Sequence, residues 1–404
     1  MSTEHFDLTH KQQPELLLKL LTDKISASTC ASVPLLAGRA GQLLFLYEAA
    51  KYHQGQIDLN WLSEEISQVI LLAKKVLPDC SMAYGMAGLA WFYQYVLQDQ
   101  QESDAENDVV DRMFAEILSV DHWQGEYEYI IGLAGYAPYL ARRTHTRQGK
   151  ANALALVEHF SKLAVIENGV AYWPTSSVSA FRMNKTAVEQ TEINLGLAHG
   201  NTGVIAALLR LSQDPSIAET AVPLLKAACD WLMQQQQDVK SYRSFFSNLS
   251  HLQAKSRLGW CYGDLTIALT LARAGRLLAQ PHYTELALAI ALHAASRDAA
   301  DAQIYDAGLC HGSSGLALIF KLLDREFHAP EIAEAATRWH NFYLQQYQQQ
   351  GLAALHKWVG DLEPGDRRKR EEDFGLLEGY AGIGLSLLVH LGQEPDWVDG
   401  LLLA

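Results

Sequence analysis

A short glycine unit recurs seven times along the 404 residues of the chain, and no other feature restricts the possible folds as much. Each copy reads Gly-x-x-Gly, with a near miss in the fifth, and each precedes an apolar run with helical periodicity. Self-similarity of this kind is typical of repeat architectures, in which each unit buries its apolar face against its neighbours. The first glycines of the copies are Gly38, Gly85, Gly132, Gly200, Gly263, Gly312 and Gly379.

The spacing of the copies matches a helical hairpin. The shortest interval, from Gly38 to Gly85, is 47 residues, and the intervals contain apolar residues with a period of about 3.6, as in 61–77, 151–164 and 284–296. One helix after each glycine unit and one before it gives about fourteen helices. Strand signals are sparse. The sequence therefore predicts an all-α array of seven hairpins, which is either an open solenoid or a closed ring.

The longer intervals hold extra material. We expect a single domain over 1–404, with inserts near 165–193, 238–258 and 359–374 that form loops at one end of the hairpin array. A glycine at a helix start permits a sharp turn, and a second one three residues later permits close approach to a neighbour. In a ring, the glycine-marked helix starts would surround a cavity. The alternative is that the glycines only allow close packing.

Composition excludes several classes of protein. Hydrophobic residues make up 49% of the chain, which excludes general disorder, and a net charge of −14 argues against a nucleic-acid-binding face. No apolar run reaches the roughly 18 residues of a membrane span, and the N-terminus does not resemble a secretory signal. Five dispersed cysteines do not suggest a disulfide framework. These features predict a cytoplasmic protein.

Three of the seven units carry a potential metal ligand beside the glycine. The fifth has Cys261, the sixth has Cys310 and His311, and the fourth has His199. Two thiolates and an imidazole suit Zn²⁺, and three protein ligands leave a fourth position for water or substrate. In a ring, the fifth and sixth units are neighbours, so their ligands would face the same space. Cysteines that only pack in the core, and a histidine that does the same, remain the alternative.

Four segments, in their order along the chain, resemble one family. They are NLGLAHGNTG (194–203), RLGWCYGD (257–264), LCHGSSGLA (309–317) and LLEGYAGIGL (376–385). With the seven glycine units, they resemble the lanthionine synthetase C-like proteins, which include the cyclases of lantibiotic biosynthesis. The resemblance implies an α/α toroid of seven hairpins with one zinc ion in its central cavity. It also implies that Cys261, Cys310 and His311 are the zinc ligands.

The resemblance also implies four catalytic residues. His199 matches the histidine of the acid/base step, Arg257 matches an arginine near the metal, and Tyr262 follows Cys261 as in the family. Where the family usually has an aspartate, this chain has Glu128, which keeps the carboxylate but is longer by one methylene. We expect Glu128 to position His199. The fifth unit departs from the family pattern too, with Asp264 followed by Leu-Thr where Pro-Gly is common.

The implied reaction is zinc-dependent peptide cyclisation. A cysteine thiolate of a dehydrated precursor peptide adds to dehydroalanine or dehydrobutyrine in the same peptide, with His199 as general acid/base, and forms lanthionine or methyllanthionine thioether rings. The implied partners are a leader-bearing precursor peptide, a separate dehydratase and an export transporter, which would bring the protein to the membrane face. We expect the inserts near 165–193 and 238–258 to bind the peptide.

Three alternatives remain at the level of sequence. The same zinc site could add a free thiol such as glutathione to dehydroamino acids in proteins. The chain could instead be a non-catalytic, metal-bound scaffold of a peptide-modification complex. A glycosidase on a related toroid would need a pair of carboxylates in the cavity, for which Glu128, Asp264 and Glu378 are candidates.

Overall fold

The computed structural model describes residues 12–76, 79–179, 181–183, 191–359 and 369–404, and most of these residues are helical. Sixteen α-helices, numbered in chain order, lie within the described residues. Seven outer helices alternate with seven inner ones. The outer helices are α1 (Gln12–Ser26), α3 (Leu59–Val76), α5 (Asp108–Ile117), α7 (Arg147–Leu163), α9 (Pro215–Met233), α12 (Pro281–Ala295) and α15 (Pro330–Gln350).

Each inner helix follows one of the seven glycines, as the repeat predicts. In the third unit a 3₁₀ turn, Leu133–Tyr136, comes between Gly132 and its helix. The two α-helices outside the alternation are the short α10 (Val239–Tyr242) and α13 (Ala299–Ala302). The inner helices are α2 (Arg39–Tyr52), α4 (Met86–Asp99), α6 (Ala137–Arg142), α8 (Asn201–Leu211), α11 (Asp264–Leu277), α14 (Ser313–Phe327) and α16 (Tyr380–His390).

The inner helices form a closed ring. Each packs against the next one along the chain, and the last, α16, packs against the first, α2. Their burial explains this position: every residue of α2 from Arg39 to Ala50 is buried, as is every residue of α16 from Tyr380 to Val389. A helix that is buried on all sides belongs in a core, and the outer helices supply the surrounding layer. The predicted all-α toroid of seven hairpins is therefore confirmed, as a ring and not a solenoid.

The glycines are needed mainly because their own loops are crowded. A Cβ on Gly312 would lie 2.4 Å from the backbone nitrogen of Gly308, and one on Gly315 would lie 1.9 Å from the carbonyl oxygen of Leu309. No side chain fits at such distances. Of the seven first glycines, Gly263 alone has a positive φ, 99°, so only the fifth unit uses a backbone conformation that favours glycine.

Backbone hydrogen bonds join the loops that precede neighbouring inner helices. The Cys310 N–H donates to the Leu377 carbonyl at 2.7 Å, the Trp260 N–H donates to the Cys310 carbonyl at 2.7 Å, and the Ala198 N–H donates to the Cys261 carbonyl at 3.2 Å. The loops of the fourth, fifth, sixth and seventh units therefore lie side by side at one end of the ring. The sequence assigned the candidate ligands to these loops.

The described parts of the inserts contain little regular structure. The first begins with the hairpin of β1 (Val165–Glu167) and β2 (Val170–Tyr172), and the third contains the hairpin of β3 (Lys357–Val359) and β4 (Lys369–Glu371). An isolated bridge from Asn194 to Leu249 joins the end of the first insert to the second. Parts of the predicted inserts, 180, 184–190 and 360–368, lie outside the described residues.

The last 3₁₀ element of the described residues packs against inner helices α4 and α6. A 3₁₀ helix, Asp396–Leu401, lies across the inner helices, where the Trp91 indole donates to the Asp399 carboxylate at 3.2 Å and the Trp260 indole donates to the Leu401 carbonyl at 2.9 Å. Among the described residues, no helix has the length and apolar character needed to cross a bilayer.

Candidate metal centre and catalytic pocket

The structure brings together the three residues that the sequence singles out as metal ligands. The potential ligand atoms of Cys261, Cys310 and His311 all lie within 4.8 Å of one another. Cys261 precedes inner helix α11, and the other two precede α14, in loops that share backbone hydrogen bonds. The cluster therefore follows from the adjacency of the fifth and sixth units in the ring.

The donor set fits zinc. Two sulfur atoms and one imidazole nitrogen are ligands that Zn²⁺ prefers, and three protein ligands leave one coordination position open. The Nδ1 atom of His311 is buried and has no hydrogen-bond partner among the described residues, so it is available to a metal. The Nε2 atom of the same ring lies 4.0 Å from the Asp306 carboxylate, an ion-pair distance that is longer than a hydrogen bond.

The two thiols have opposite pKa shifts. The Cys310 thiol donates a hydrogen bond to Cys261 and holds the pKa of Cys261 well below its usual range, with further contributions from His311 and Arg257. The same hydrogen bond, together with burial, raises the pKa of Cys310 well above its usual range. The site therefore already stabilises one thiolate, which is the form of cysteine that binds metals.

Arg257 supplies positive charge beside the sulfur atoms. Its Nη2 atom donates to the Sγ atom of Cys261 at 3.3 Å. Burial alone would lower the pKa of the guanidinium, but the charge of Cys261 and the hydrogen bond to its sulfur atom raise it above its usual value. The sequence placed Arg257 near the metal site, and the structure has it in direct contact with a candidate ligand.

His199 forms a pair with Glu128. The Nδ1 atom of His199 donates to Oε2 of Glu128 at 2.9 Å, while the His199 side chain keeps 21% of its surface exposed. The Glu128 carboxylate is buried and also accepts three backbone N–H groups, from Ile130, Ile131 and Gly132. With His199, they give the carboxylate four hydrogen-bond donors. With Nδ1 engaged, Nε2 of His199 is the nitrogen left for a substrate, because no described residue binds it.

Two aromatic rings flank His199. The Phe181 ring stacks on the imidazole, with ring centroids 4.2 Å apart and an interplanar angle of 22°. The Tyr262 ring also lies near the imidazole, with ring centroids 6.2 Å apart. Sequence reasoning assigned Tyr262 to the site but missed Phe181, which belongs to the first insert. The aromatic residues of that insert were the available signal.

The Tyr262 hydroxyl accepts a hydrogen bond from Nδ2 of Asn194 at 2.8 Å. Burial raises the pKa of Tyr262 to about 12, so this hydroxyl is protonated at neutral pH. Asn194 is completely buried. Sequence reasoning missed it as a site residue, although it is the first residue of the segment that contains His199.

The carboxylates that a glycosidase would need are already engaged. Asp264 is completely buried and accepts the backbone N–H groups of Phe245 and Phe246, and burial raises its pKa to about 6. Glu378 forms an ion pair with Lys357 at 3.5 Å, and Glu128 binds His199. None of these side chains supports the glycosidase alternative.

Fold and site together define a class of protein: an α/α toroid whose ring end carries a Cys₂His cluster next to a histidine–carboxylate pair. A family model described as "Lanthionine synthetase C-like protein" matches residues 31–403, and the chain belongs to that family. The solved structure of a nisin cyclase is similar over 97% of both chains, with a TM-score of 0.70 and 20% sequence identity. At that identity, the likeness concerns the fold.

Proposed function

We propose that the protein is a zinc-dependent peptide cyclase that forms lanthionine or methyllanthionine rings in a dehydrated precursor peptide. One observation carries the proposal: a three-ligand site suited to zinc lies in loops adjacent to that of a histidine whose free nitrogen is available for proton transfer. A scaffold would not need a coordination position left open for substrate. The family to which the chain belongs supports the same reaction.

The reaction balances within one peptide. A cysteine sulfur forms a bond to the β-carbon of a dehydroamino acid, and the electrons of the carbon–carbon double bond move towards the carbonyl as an enolate. The α-carbon then takes up a proton. Overall, the thiol proton moves to the α-carbon and the peptide mass does not change. His199 can remove and return this proton, because Glu128 binds its Nδ1 atom and no described residue binds its Nε2 atom.

Zinc bound by Cys261, Cys310 and His311 would supply a Lewis acid that keeps the substrate thiol deprotonated at neutral pH. Arg257 lies beside one of these sulfur atoms, so its charge can stabilise negative charge that develops on the substrate. Phe181 covers one face of the His199 ring and leaves the ring edge for the substrate.

The proposal includes the partners that the chemistry requires. Dehydroamino acids must be made first, so a separate dehydratase supplies the peptide and an export transporter receives the product. A cytoplasmic location agrees with five cysteines that form no disulfide. The first two inserts are proposed to bind the leader-bearing peptide, because Phe181 of the first insert contacts His199.

Leader-bearing peptides with a dehydroalanine and a downstream cysteine provide the test. Each is incubated with zinc-loaded protein, and any remaining thiol is then alkylated with N-ethylmaleimide before mass spectrometry. We expect the product to keep its mass and to resist alkylation. The Cys310→Ala variant and a reaction without protein are the controls.

Two results would count against cyclisation. Complete alkylation of every peptide, at the level of the control without protein, would refute the proposal. A mass gain of one glutathione per dehydroamino acid, in reactions that also contain glutathione, would replace cyclisation by addition of a free thiol.

A further inference from the structure

We propose that Asn194 is a positioning residue that sets the direction of the Tyr262 hydroxyl, so that its hydrogen points into the pocket next to His199 and towards the substrate carbonyl. The catalytic part of this inference rests on the proposed cyclase function. The hydrogen-bond geometry is independent of that function. Both parts begin from the 2.8 Å hydrogen bond between Nδ2 of Asn194 and the Tyr262 oxygen.

The orientation of the Asn194 amide is fixed by a backbone donor. The Gly196 N–H donates to Oδ1 of Asn194 at 2.8 Å, and a backbone N–H cannot act as an acceptor. Oδ1 must therefore face Gly196, and Nδ2 must face Tyr262. A reversed amide would place Nδ2 against the Gly196 N–H, two donors without an acceptor, at a completely buried position.

The backbone around Asn194 is held in place as well. Its carbonyl accepts the backbone N–H of Asn201 at 2.8 Å and Nδ2 of the same residue at 3.0 Å. A bridge to Leu249 of the second insert fixes the other side. A Cβ on Gly200 would lie 2.5 Å from Oδ1 of Asn194, so the glycine before α8 makes room for this side chain. Asn194 is therefore a rigid donor.

The Tyr262 ring is equally constrained. A Cβ on Gly196 would lie 2.6 Å from two ring carbons of Tyr262, so the ring packs directly against the backbone there. A phenol has one hydrogen, and its oxygen already accepts from Asn194. The hydrogen cannot be directed to the Asn194 amide nitrogen, which is itself a donor. No other described residue forms a hydrogen bond with the hydroxyl, so its hydrogen remains for a group in the pocket.

The substrate carbonyl is the acceptor that gains most from this hydrogen. When the carbon–sulfur bond forms, negative charge develops on the carbonyl oxygen of the dehydroamino acid. A donor that is fixed before the reaction stabilises that charge without reorganisation. The hydrogen bond from Asn194 polarises the phenol and makes it a better donor. Tyr262 follows the candidate ligand Cys261 in sequence, and its ring lies 6.2 Å from that of His199.

Substitution of Asn194 by aspartate tests the direction of the hydroxyl. Asn194→Asp keeps the shape and the acceptor for Gly196 but replaces the donor by a carboxylate oxygen, to which the Tyr262 hydroxyl would donate. We expect the ring-formation rate to fall about 10- to 100-fold, to the level of Tyr262→Phe, with unchanged zinc content. Asn194→Ala removes the hydrogen bond but offers the hydroxyl no new acceptor, so its ring-formation rate should fall less than that of Asn194→Asp. Equal rates for wild type and Asn194→Asp would overturn the proposal.

A double-mutant cycle separates positioning from a structural role. In the Tyr262→Phe background there is no hydroxyl to orient, so Asn194→Ala should cause no further loss of rate. If Asn194→Ala lowers the rate by the same factor with and without the hydroxyl, Asn194 acts through the loop alone and the proposal is wrong.

An NMR measurement tests the geometry without catalysis. In protein labelled with [¹⁵N]asparagine, the side-chain amide signals of Asn194 are assigned by their loss in Asn194→Asp. We expect the hydrogen-bonded amide proton to move upfield in Tyr262→Phe, because its acceptor is gone. An unchanged signal would overturn the inference. A shifted signal in a protein that cyclises no peptide would support the hydrogen bond and refute the proposed function, so the two failures are distinguishable.

Discussion

Replacing Glu128 by glutamine should move the ring proton of His199 from Nδ1 to Nε2. The carboxylate oxygen Oε2 accepts from Nδ1 of His199 and from the Ile130 N–H, whereas Oε1 accepts from two further backbone N–H groups. In Glu128→Gln, one of these oxygens becomes an NH₂ group. At Oε1 it would leave two backbone donors unpaired, and at Oε2 only one, so the amide nitrogen should face His199.

The magnitudes follow from this arrangement. An amide nitrogen that donates to Nδ1 forces the imidazole proton onto Nε2, where His199 can no longer accept a proton from the substrate. Loss of general acid/base catalysis costs about 10²- to 10⁴-fold in rate. The unpaired Ile130 N–H should lower the free energy of unfolding by about 1–3 kcal/mol. The effect on rate should therefore be large while the protein remains folded.

The assay is the ring-formation rate on a dehydrated peptide, with zinc content and urea unfolding measured on the same preparations. Glu128→Asp is the matched control, because it keeps the carboxylate and is the usual residue of the family that the sequence resembles. It should retain most of the activity. Glu128→Gln should cause no further loss in a His199→Ala background. Wild-type rates in Glu128→Gln would refute the proposed role of the pair.

Three further predictions concern His199 and the metal site, the ring stacked on His199, and a buried pair of histidines. His199→Ala should keep its zinc and lose ring formation, whereas Cys310→Ala should lose zinc; elemental analysis decides, and normal cyclisation by His199→Ala would exclude the acid/base role. Phe181→Ala, which removes the ring stacked on His199, should lower the rate about 10-fold with Phe181→Tyr close to wild type; equal rates for all three proteins would exclude a role for the stack. Burial lowers the pKa of His340 to about 4 and that of the stacked His390 to about 3, so the unfolded state binds more protons between these values and about 6.5. The contribution of this pair to the free energy of unfolding should therefore be constant above pH 6.5. Below pH 6.5 it should fall by up to about 1.4 kcal/mol per pH unit for each histidine. Urea unfolding of a His340→Leu/His390→Leu variant that shows the same slope in acid would contradict this.

The repeat made most of the fold predictable. Seven glycine units with hairpin spacing predict seven inner helices, and the structure has them, with α16 packed on α2. The clustering of Cys261 with Cys310 and His311 follows from the same regularity, because equivalent positions in adjacent units face each other. Periodicity alone could not distinguish an open solenoid from a closed ring, because closure depends on contacts between the two ends of the array.

Features outside the repeat were not predictable. Phe181 lies in an insert that has no equivalent in the other units, so no symmetry argument places its ring on His199. The role of Asn194 depends on a buried side chain whose orientation is set by one backbone N–H. The contact between Glu128 and His199 was expected from the resemblance alone. Its distance of 2.9 Å shows that the longer side chain is accommodated. Such details depend on tertiary contacts that local sequence does not encode.

Zinc analysis of the purified wild type and of Cys261→Ala tests the central claim most directly, because the proposed chemistry depends on that site. Metal content is measured by elemental analysis against protein concentration after reconstitution and removal of free metal. The account predicts about one zinc per chain in the wild type and a loss of zinc in a folded Cys261→Ala. A folded wild type that holds no zinc would mean that Cys261, Cys310 and His311 are packing residues, and it would contradict the proposed mechanism.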